Sequence, residues 1–328
     1  MEKNKVPISI IIDDPAPVIS VYYEHAYPKV TEDGRPLVPT YPNELLYMFC
    51  DIIERNGIKG KFSIVPMPGN KGDIVSGIEG VDPDDVKEWM DTVRARVLKN
   101  FSPCPEMLTH HKAVDLETGE ALLMNEEDFA KTQTRETLTP YIAKALELHK
   151  AAGICSVGVT SPWNFGVDVE DEYTAAISKA VYDVTGSRNA WYFLHISTSK
   201  PNVKPWIALE EEGRTLVTMP SVIRDYIWGT ISSIDTSDEY VRSLADLYIT
   251  EDGQDGAIIK RIGDGCYPIF HTHWQSLMSN GLGTGLRVLD TIARRINSHL
   301  LDKVEWMSFE EIMNYVIDNK ESFRKTEL

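Results

Sequence analysis

Acids and imidazoles stand at the ends of separate short apolar runs. "SIIIDDPAP" (residues 9–17) carries three isoleucines straight into Asp13 and Asp14, with Pro15 directly behind them. A buried carboxylate is costly unless it is paired, hydrogen-bonded or bound to a cation, so both acids need partners from elsewhere in the chain. His110 and His111 close "CPEMLTHH", Ser161, Pro162 and Trp163 follow "CSVGVT", and His271 and His273 close "YPIFHTH". Asp and neutral imidazole are good ligands for zinc or another first-row divalent metal. A second, unligated Asp beside such a metal can take a proton from water, and a histidine across the site can return it to a leaving group. His271 and His273 are two apart and so face one side of an extended strand, whereas the neighbours His110 and His111 face opposite sides.

Each of these residues also has a plainer reading. An Asp-Asp pair ending a strand equally serves as a turn former or helix cap. Trp163 reads as a core or rim aromatic or as a substrate platform, and His25, in the tyrosine-rich "VYYEHAY", as a loop residue or as one that folds back over the site. His195 reads as a hydrogen-bonded core histidine, and His149 and His299 as surface or packing residues of helices. What favours a site is position, because the acids and histidines fall together at strand C-termini.

The elements that must hold them alternate in type. Apolar runs at 8–13, 60–66, 104–111, 155–162, 190–197, 267–274 and 304–309 read as strands. Between the first two, Leu45, Leu46, Phe49, Ile52 and Ile53 recur at helical spacing, with Asn56-Gly57 as the stop. Helices are also expected over 82–101, 137–152, 170–184 and 286–300, and one starting at "SFEE", where Ser308 and Glu311 have capping-box spacing. Strand–helix–strand repetition means parallel strands with right-handed crossovers. Seven such units predict an α/β fold, a seven-stranded parallel (β/α) barrel, closed or nearly closed, over residues 1–328 as a single domain. Residues 198–233, punctuated by Pro201, Pro205 and Pro220, break the rhythm and read as an inserted β-rich excursion. Active sites form at the C-terminal ends of barrel strands, where 15–42 and 66–81 supply long loops.

Composition narrows the partners. A formal net charge of -17 argues against nucleic acid and anionic membrane surfaces, both polyanions that select basic patches. No segment reaches the roughly 20 apolar residues of a membrane span, and the N-terminal apolar stretch runs into Asp13 as a strand, not a signal peptide. Four widely spaced cysteines, Cys50, Cys104, Cys155 and Cys266, read as free core thiols of a reducing compartment, so a cytoplasmic location is expected.

The order of the strand-end motifs resembles the polysaccharide deacetylase (NodB-homology) superfamily, whose members use a divalent metal to remove acetyl groups from sugars. The resemblance implies that Asp13 is the catalytic base and Asp14 a metal ligand. In "PEMLTHHKAVD" it aligns Glu106 with the family's acid and His110 with its first metal-binding histidine, while Val114 occupies the place of the second. His111, Asp115 or His273 is the substitute ligand. In "TSPWNFG" the family's Pro-aromatic pair is kept as Pro162 and Trp163, but Thr160 stands where an arginine normally holds the base. "PIFHTHW" makes His271 the candidate general acid. The expected function is therefore hydrolysis of an acetyl amide or ester on a carbohydrate or related small substrate, with zinc first among the metals and cobalt, manganese or nickel behind it. Trp163 and His25 would line the substrate pocket. A metal-free glycoside hydrolase, which needs only two carboxylates, and a non-catalytic carbohydrate-binding barrel are the alternatives.

Overall fold

A computed structural model describes residues 5–323. Its strands follow the apolar runs: β1 (Val6–Asp13), β2 (Gly60–Ile64), β3 (Phe101–Pro105), β4 (Gly158–Thr160), β5 (Asn189–Phe193), β6 (Trp206–Glu211), β7 (Arg214–Thr218), β8 (Ile269–His273) and β9 (Val304–Trp306). The principal helices are α1 (Val21–His25), α2 (Asn43–Asn56), α3 (Pro83–Thr92), α4 (Arg135–Ala151), α5 (Glu170–Thr185), α6 (Asp238–Tyr248), α7 (Trp274–Met278), α8 (Thr284–His299) and α9 (Phe309–Asp318).

Two sheets carry the site. In the first, β8, β1, β2 and β3 lie side by side, all parallel, and β9 pairs with the lower part of β1. In the second, β4, β5 and β7 are parallel and β6 returns antiparallel on the edge. Single parallel bridges join the sheets, Glu106 to Thr160 on one side and Ile223 to Phe270 on the other, while Ile196–Ser221 extends the pairing of β5 with β7. The ring expected from seven units is thus approached by isolated bridges and not by continuous pairing among the described residues.

Side-chain parity on β1 sets the whole arrangement. Ile8, Ile10 and Ile12 pack with Phe49 and Leu46 of α2 and with Leu289 of α8. Ile11 faces the other way, into a cluster with Trp191, Phe193, Met219 and Ile269. All four isoleucines are fully buried, each contributing roughly 1.5–3 kcal/mol. Asp13 shares the inward parity of Ile11 and so sits above that inner cluster. Gly57 (φ 64) ends α2, Gly186 (φ 77) ends α5, and Ser308 with Glu311 forms the capping box that opens α9.

Three expectations shift. The helix over 82–101 ends at Thr92 and passes through one π turn, so β3 begins at Phe101 and stops at Pro105. Residues 106–111 are consequently a loop, because Met107 (φ 41) and His110 (φ 51) adopt left-handed backbone that no strand accommodates. The 198–233 excursion is a hairpin, turned at Glu212-Gly213 with both φ positive, and its second strand β7 joins the second sheet parallel to β5. Cys50, Cys104 and Cys266 are buried free thiols, but Cys155 is exposed, since it lies in the turn that precedes β4.

Candidate active site

Asp14 leaves β1 at φ 65, a left-handed conformation uncommon outside glycine. The turn delivers its backbone N–H to Glu106 Oε2 at 2.7 Å. Its side-chain Oδ1 lies 2.9 Å from His110 Nε2, and His110 Nε2 lies 3.6 Å from Glu106 Oε1. One ligand atom from each of Asp14, Glu106 and His110 falls within 4.8 Å of the others. His110 is held there by the buried carboxylate of Glu126, which accepts from the N–H groups of Leu108 and Thr109 (both 3.0 Å) and of His110 (2.8 Å). The Tyr141 hydroxyl braces the same carboxylate at 2.7 Å. Asp14, His110 and Trp163 (φ 49) are all non-glycine residues with positive φ; strained backbone of this kind costs on the order of 1–3 kcal/mol per residue and concentrates at functional sites.

The donor set fits a divalent cation. Asp14 Oδ1 is buried and has no hydrogen-bond partner: its approach to His110 Nε2 is close but lacks hydrogen-bond alignment, so both atoms point into a shared space. Burial and the charges of Asp14 and Asp13 push the Glu106 carboxyl well above its ordinary range, so it holds a proton. Burial would raise the Asp14 carboxyl too, yet His110 and His273 hold it low, and Asp14 in turn raises His110 against the effect of burial. A cation between these groups would take over the positive charge that His110 lends Asp14. Two carboxylate oxygens and an imidazole nitrogen match first-row divalent metals.

Asp13 is set differently. Its Oδ1 receives the ammonium of Lys61, from β2, and the hydroxyl of Ser63 at 3.1 Å, while Oδ2 carries no hydrogen bond among the described residues. Lys61 is fully buried and also donates to Ser63 and, at 2.6 Å, to Thr160 Oγ1. Burial acts to lower the Lys61 pKa, but Asp13, with Cys104 and Glu106 behind it, turns the net shift upward. The ammonium thus stays charged.

On the far side of Asp13, the β1–β8 register pairs Asp13 with His273 and Ile11 with His271. His273 Nδ1 meets Asp225 Oδ2 at 2.8 Å, and that carboxylate also accepts from Ser276 Oγ at 2.8 Å. Burial works against the His273 cation, but Asp225, Asp14 and Asp13 together lift the ring to about 9. His271 lies one pleat deeper, with Nδ1 3.1 Å from both Ser221 Oγ and Ile223 O. A carbonyl only accepts, so this Nδ1 carries the hydrogen; burial, then the charge on His273, keeps the ring neutral.

The remaining candidates spread around the mouth. His25 stacks on His110 (ring centroids 5.5 Å), with an edge toward Trp163 at 5.4 Å. Burial depresses it to about 4. Trp163 packs on His110 at 4.5 Å and Trp228 on His273 at 4.5 Å, and both indoles are 39% exposed. His111 turns away from the Asp14–Glu106–His110 group, its Nδ1 at 3.0 Å from Asn70 Oδ1. Asp115 caps an exposed turn. His195 bonds Glu170 at 2.7 Å, and His149 is fully buried.

Sequence reasoning brings Asp13, Asp14, His110, His271, His273, Trp163 and His25 to one region but misses Lys61, Asp225, Glu126 and Trp228. Lys61 had a legible signal: a lone cation inside the apolar strand "GKFSI", two residues from Ser63 and on its face. Asp225 lies in an irregular stretch and Glu126 at the start of a five-residue helix, Glu126–Ala130, and neither carries such a signal.

No family model matches the chain, and no curated protein matches it. Solved structures do. A crystal structure of a "putative polysaccharide deacetylase" from Mycobacterium smegmatis superposes with a TM-score of 0.55 at 10% identity, covering 100% of this chain and 96% of that one. A "putative glycoside hydrolase/deacetylase" from Parabacteroides distasonis gives 0.51 at 10% identity, covering 95% and 70%. The chain therefore has the α/β fold of polysaccharide deacetylase structures, with an Asp-Glu-His group at the C-terminal ends of its strands.

Proposed function

We propose that the protein is a divalent-metal-dependent hydrolase that removes an acetyl group, as amide or ester, from a carbohydrate or related small substrate. The observation that carries this reading is the buried Asp14 Oδ1, which faces His110 Nε2 at 2.9 Å and converges with Glu106 beside a second carboxylate, Asp13. The fold shared with polysaccharide deacetylase structures supports it.

Asp14, Glu106 and His110 would hold the metal; His111, bound to Asn70, and His273, bound to Asp225, have other partners. A bound divalent cation would polarise the acyl carbonyl and make water a stronger acid. Asp13 takes the proton from the attacking water on Oδ2, since Oδ1 is engaged. Oxygen adds to the carbonyl carbon, and the bond to the sugar nitrogen or oxygen then breaks. His273 gives its Nε2 proton to that leaving atom, with Nδ1–H held on Asp225. The sequence motif points to His271 as the acid; the level of Asp13 and the Asp225 partner favour His273, with neutral His271 packed beneath it. Trp163 and His25 flank the metal side of the mouth and supply flat surfaces for a sugar ring.

The test is acetate release from N- and O-acetylated sugars, with and without chelator, followed by addition of zinc, cobalt, manganese or nickel. Release that stops with chelator and returns with metal is expected. Release indifferent to chelator, or none from any acetylated sugar by metal-loaded protein, overturns the proposal.

A further inference from the structure

Among the described residues Lys61 is the largest charged side chain with no exposure at all. Its ammonium reaches three oxygens from three strands: Asp13 Oδ1 on β1, Ser63 Oγ on β2 itself and Thr160 Oγ1 on β4. Its Nζ also lies 5.0 Å from the centre of the Phe193 ring on β5. A buried ammonium is tolerated only when it is paired and its hydrogens are used, and here all three have acceptors. The chain spends the cost of desolvating a lysine at the one point where Asp13 is fixed.

We infer that Lys61 is a positioning residue for Asp13: the fixed cation that orients the carboxylate and leaves Oδ2 as its working atom, with Thr160 marking a second position from which a cation could serve the same oxygen. The inference rests on the proposed role of Asp13 but makes a separate structural claim, that one buried ion pair sets one side chain. A neutral residue at 61 leaves Asp13 buried without its partner and free to rotate. A guanidinium introduced at 160, where the hydroxyl already touches Nζ, approaches from the opposite strand and restores the pairing once the lysine side chain is removed. Among the described residues Lys61 makes no hydrogen bond or ion pair with Asp14, Glu106 or His110 and bears on them only through its charge on Glu106, so metal stoichiometry is expected to survive its loss.

Four variants on the full chain test this: Lys61→Ala, Thr160→Arg, Lys61→Ala/Thr160→Arg and Lys61→Met/Asp13→Asn. Acetate release, metal content and thermal unfolding are read for each. Lys61→Ala is expected to lower kcat by about a hundredfold or more with KM and metal stoichiometry unchanged. Adding Thr160→Arg to it is expected to recover about tenfold or more, whereas Thr160→Arg alone, placing two cations in one slot, lowers both activity and melting temperature. Lys61→Met/Asp13→Asn, which removes both charges, is expected to melt higher than the Lys61→Ala protein, because breaking a buried pair costs more than deleting it. A Lys61→Met/Asp13→Asn protein that melts no higher than Lys61→Ala overturns the inference, as does a Lys61→Ala enzyme with unchanged kcat or one that loses metal. If the wild type releases no acetate at all, the proposed function fails, and the melting-temperature comparison still decides the ion pair.

Discussion

The two sheets divide the work unequally. Strands β8, β1, β2 and β3, with the loop that follows β3, deliver His271, His273, Asp13, Asp14, Lys61, Glu106 and His110. The second sheet contributes one hydroxyl, Thr160, to that group, together with Trp163 just beyond β4 and the buried rings of Trp191 and Phe193. The strands of the first sheet are buried almost throughout, whereas the second ends on the half-exposed edge strand β6, and the two differ further in what their strand ends carry. On the proposed reading chemistry falls to the first sheet and shape to the second, and loss of function and loss of fold should separate accordingly.

The largest effect is expected on the chemical side. Asp13→Asn alone strands the Lys61 ammonium and confuses stability with activity, so Asp13→Asn/Lys61→Met is the cleaner knock-out: activity falls by about a thousandfold or more, while the melting temperature stays near wild type. Steady-state kinetics beside thermal unfolding checks this, and a fully active double variant would remove Asp13 from the reaction. Next, His273→Gln should cost about a hundredfold in kcat and Asp225→Asn somewhat less, because the amide still accepts from Nδ1–H but no longer favours the cation. His271→Gln should cost least of the three. A ranking with His271 first would return the acid role to the residue that the sequence motif indicates.

The join between the sheets gives the third test. His149, on α4, donates from Nε2 to Ile64 O at the end of β2 and accepts at Nδ1 from Ser156, just before β4, at 3.0 and 2.8 Å. Burial depresses its pKa to about 4. A histidine neutral when folded contributes stability above its unfolded pKa near 6.5 and loses it as pH falls through the folded value, here by up to roughly 3 kcal/mol. Denaturant titrations between pH 7 and 4 should show that acid loss, and His149→Gln should flatten it. The smallest effect lies in the second sheet. A Cβ at Gly158 would stand 2.1 Å from Trp191 Cε2, so Gly158→Ala should cost about 1–3 kcal/mol while each folded molecule keeps its full metal content.

Much of the first sheet is legible in sequence because its strands are short apolar runs ending abruptly in polar residues. Parity alone places Asp13 on the inward face of β1 and His271 and His273 together on β8. The loop after β3 is not legible: "CPEMLTHH" alternates like a strand, and the carboxylate that folds it into left-handed turns, Glu126, lies 16 residues beyond His110. Asp225 is hidden for the same reason, since it lies in an irregular stretch and reaches His273 across 48 residues. In the second sheet, prolines and a surplus of glutamates make the β6–β7 hairpin look like an excursion, although Leu216 and Val217 are fully buried in it.

The most direct test is metal content by mass spectrometry on protein purified without a metal-affinity column, for the wild type beside Asp14→Ala, Glu106→Ala and His110→Ala. About one divalent metal per chain in the wild type, lost in all three variants and retained in His111→Ala, is the predicted result. A wild-type protein that binds no metal after reconstitution, or three variants that keep it, would contradict the account.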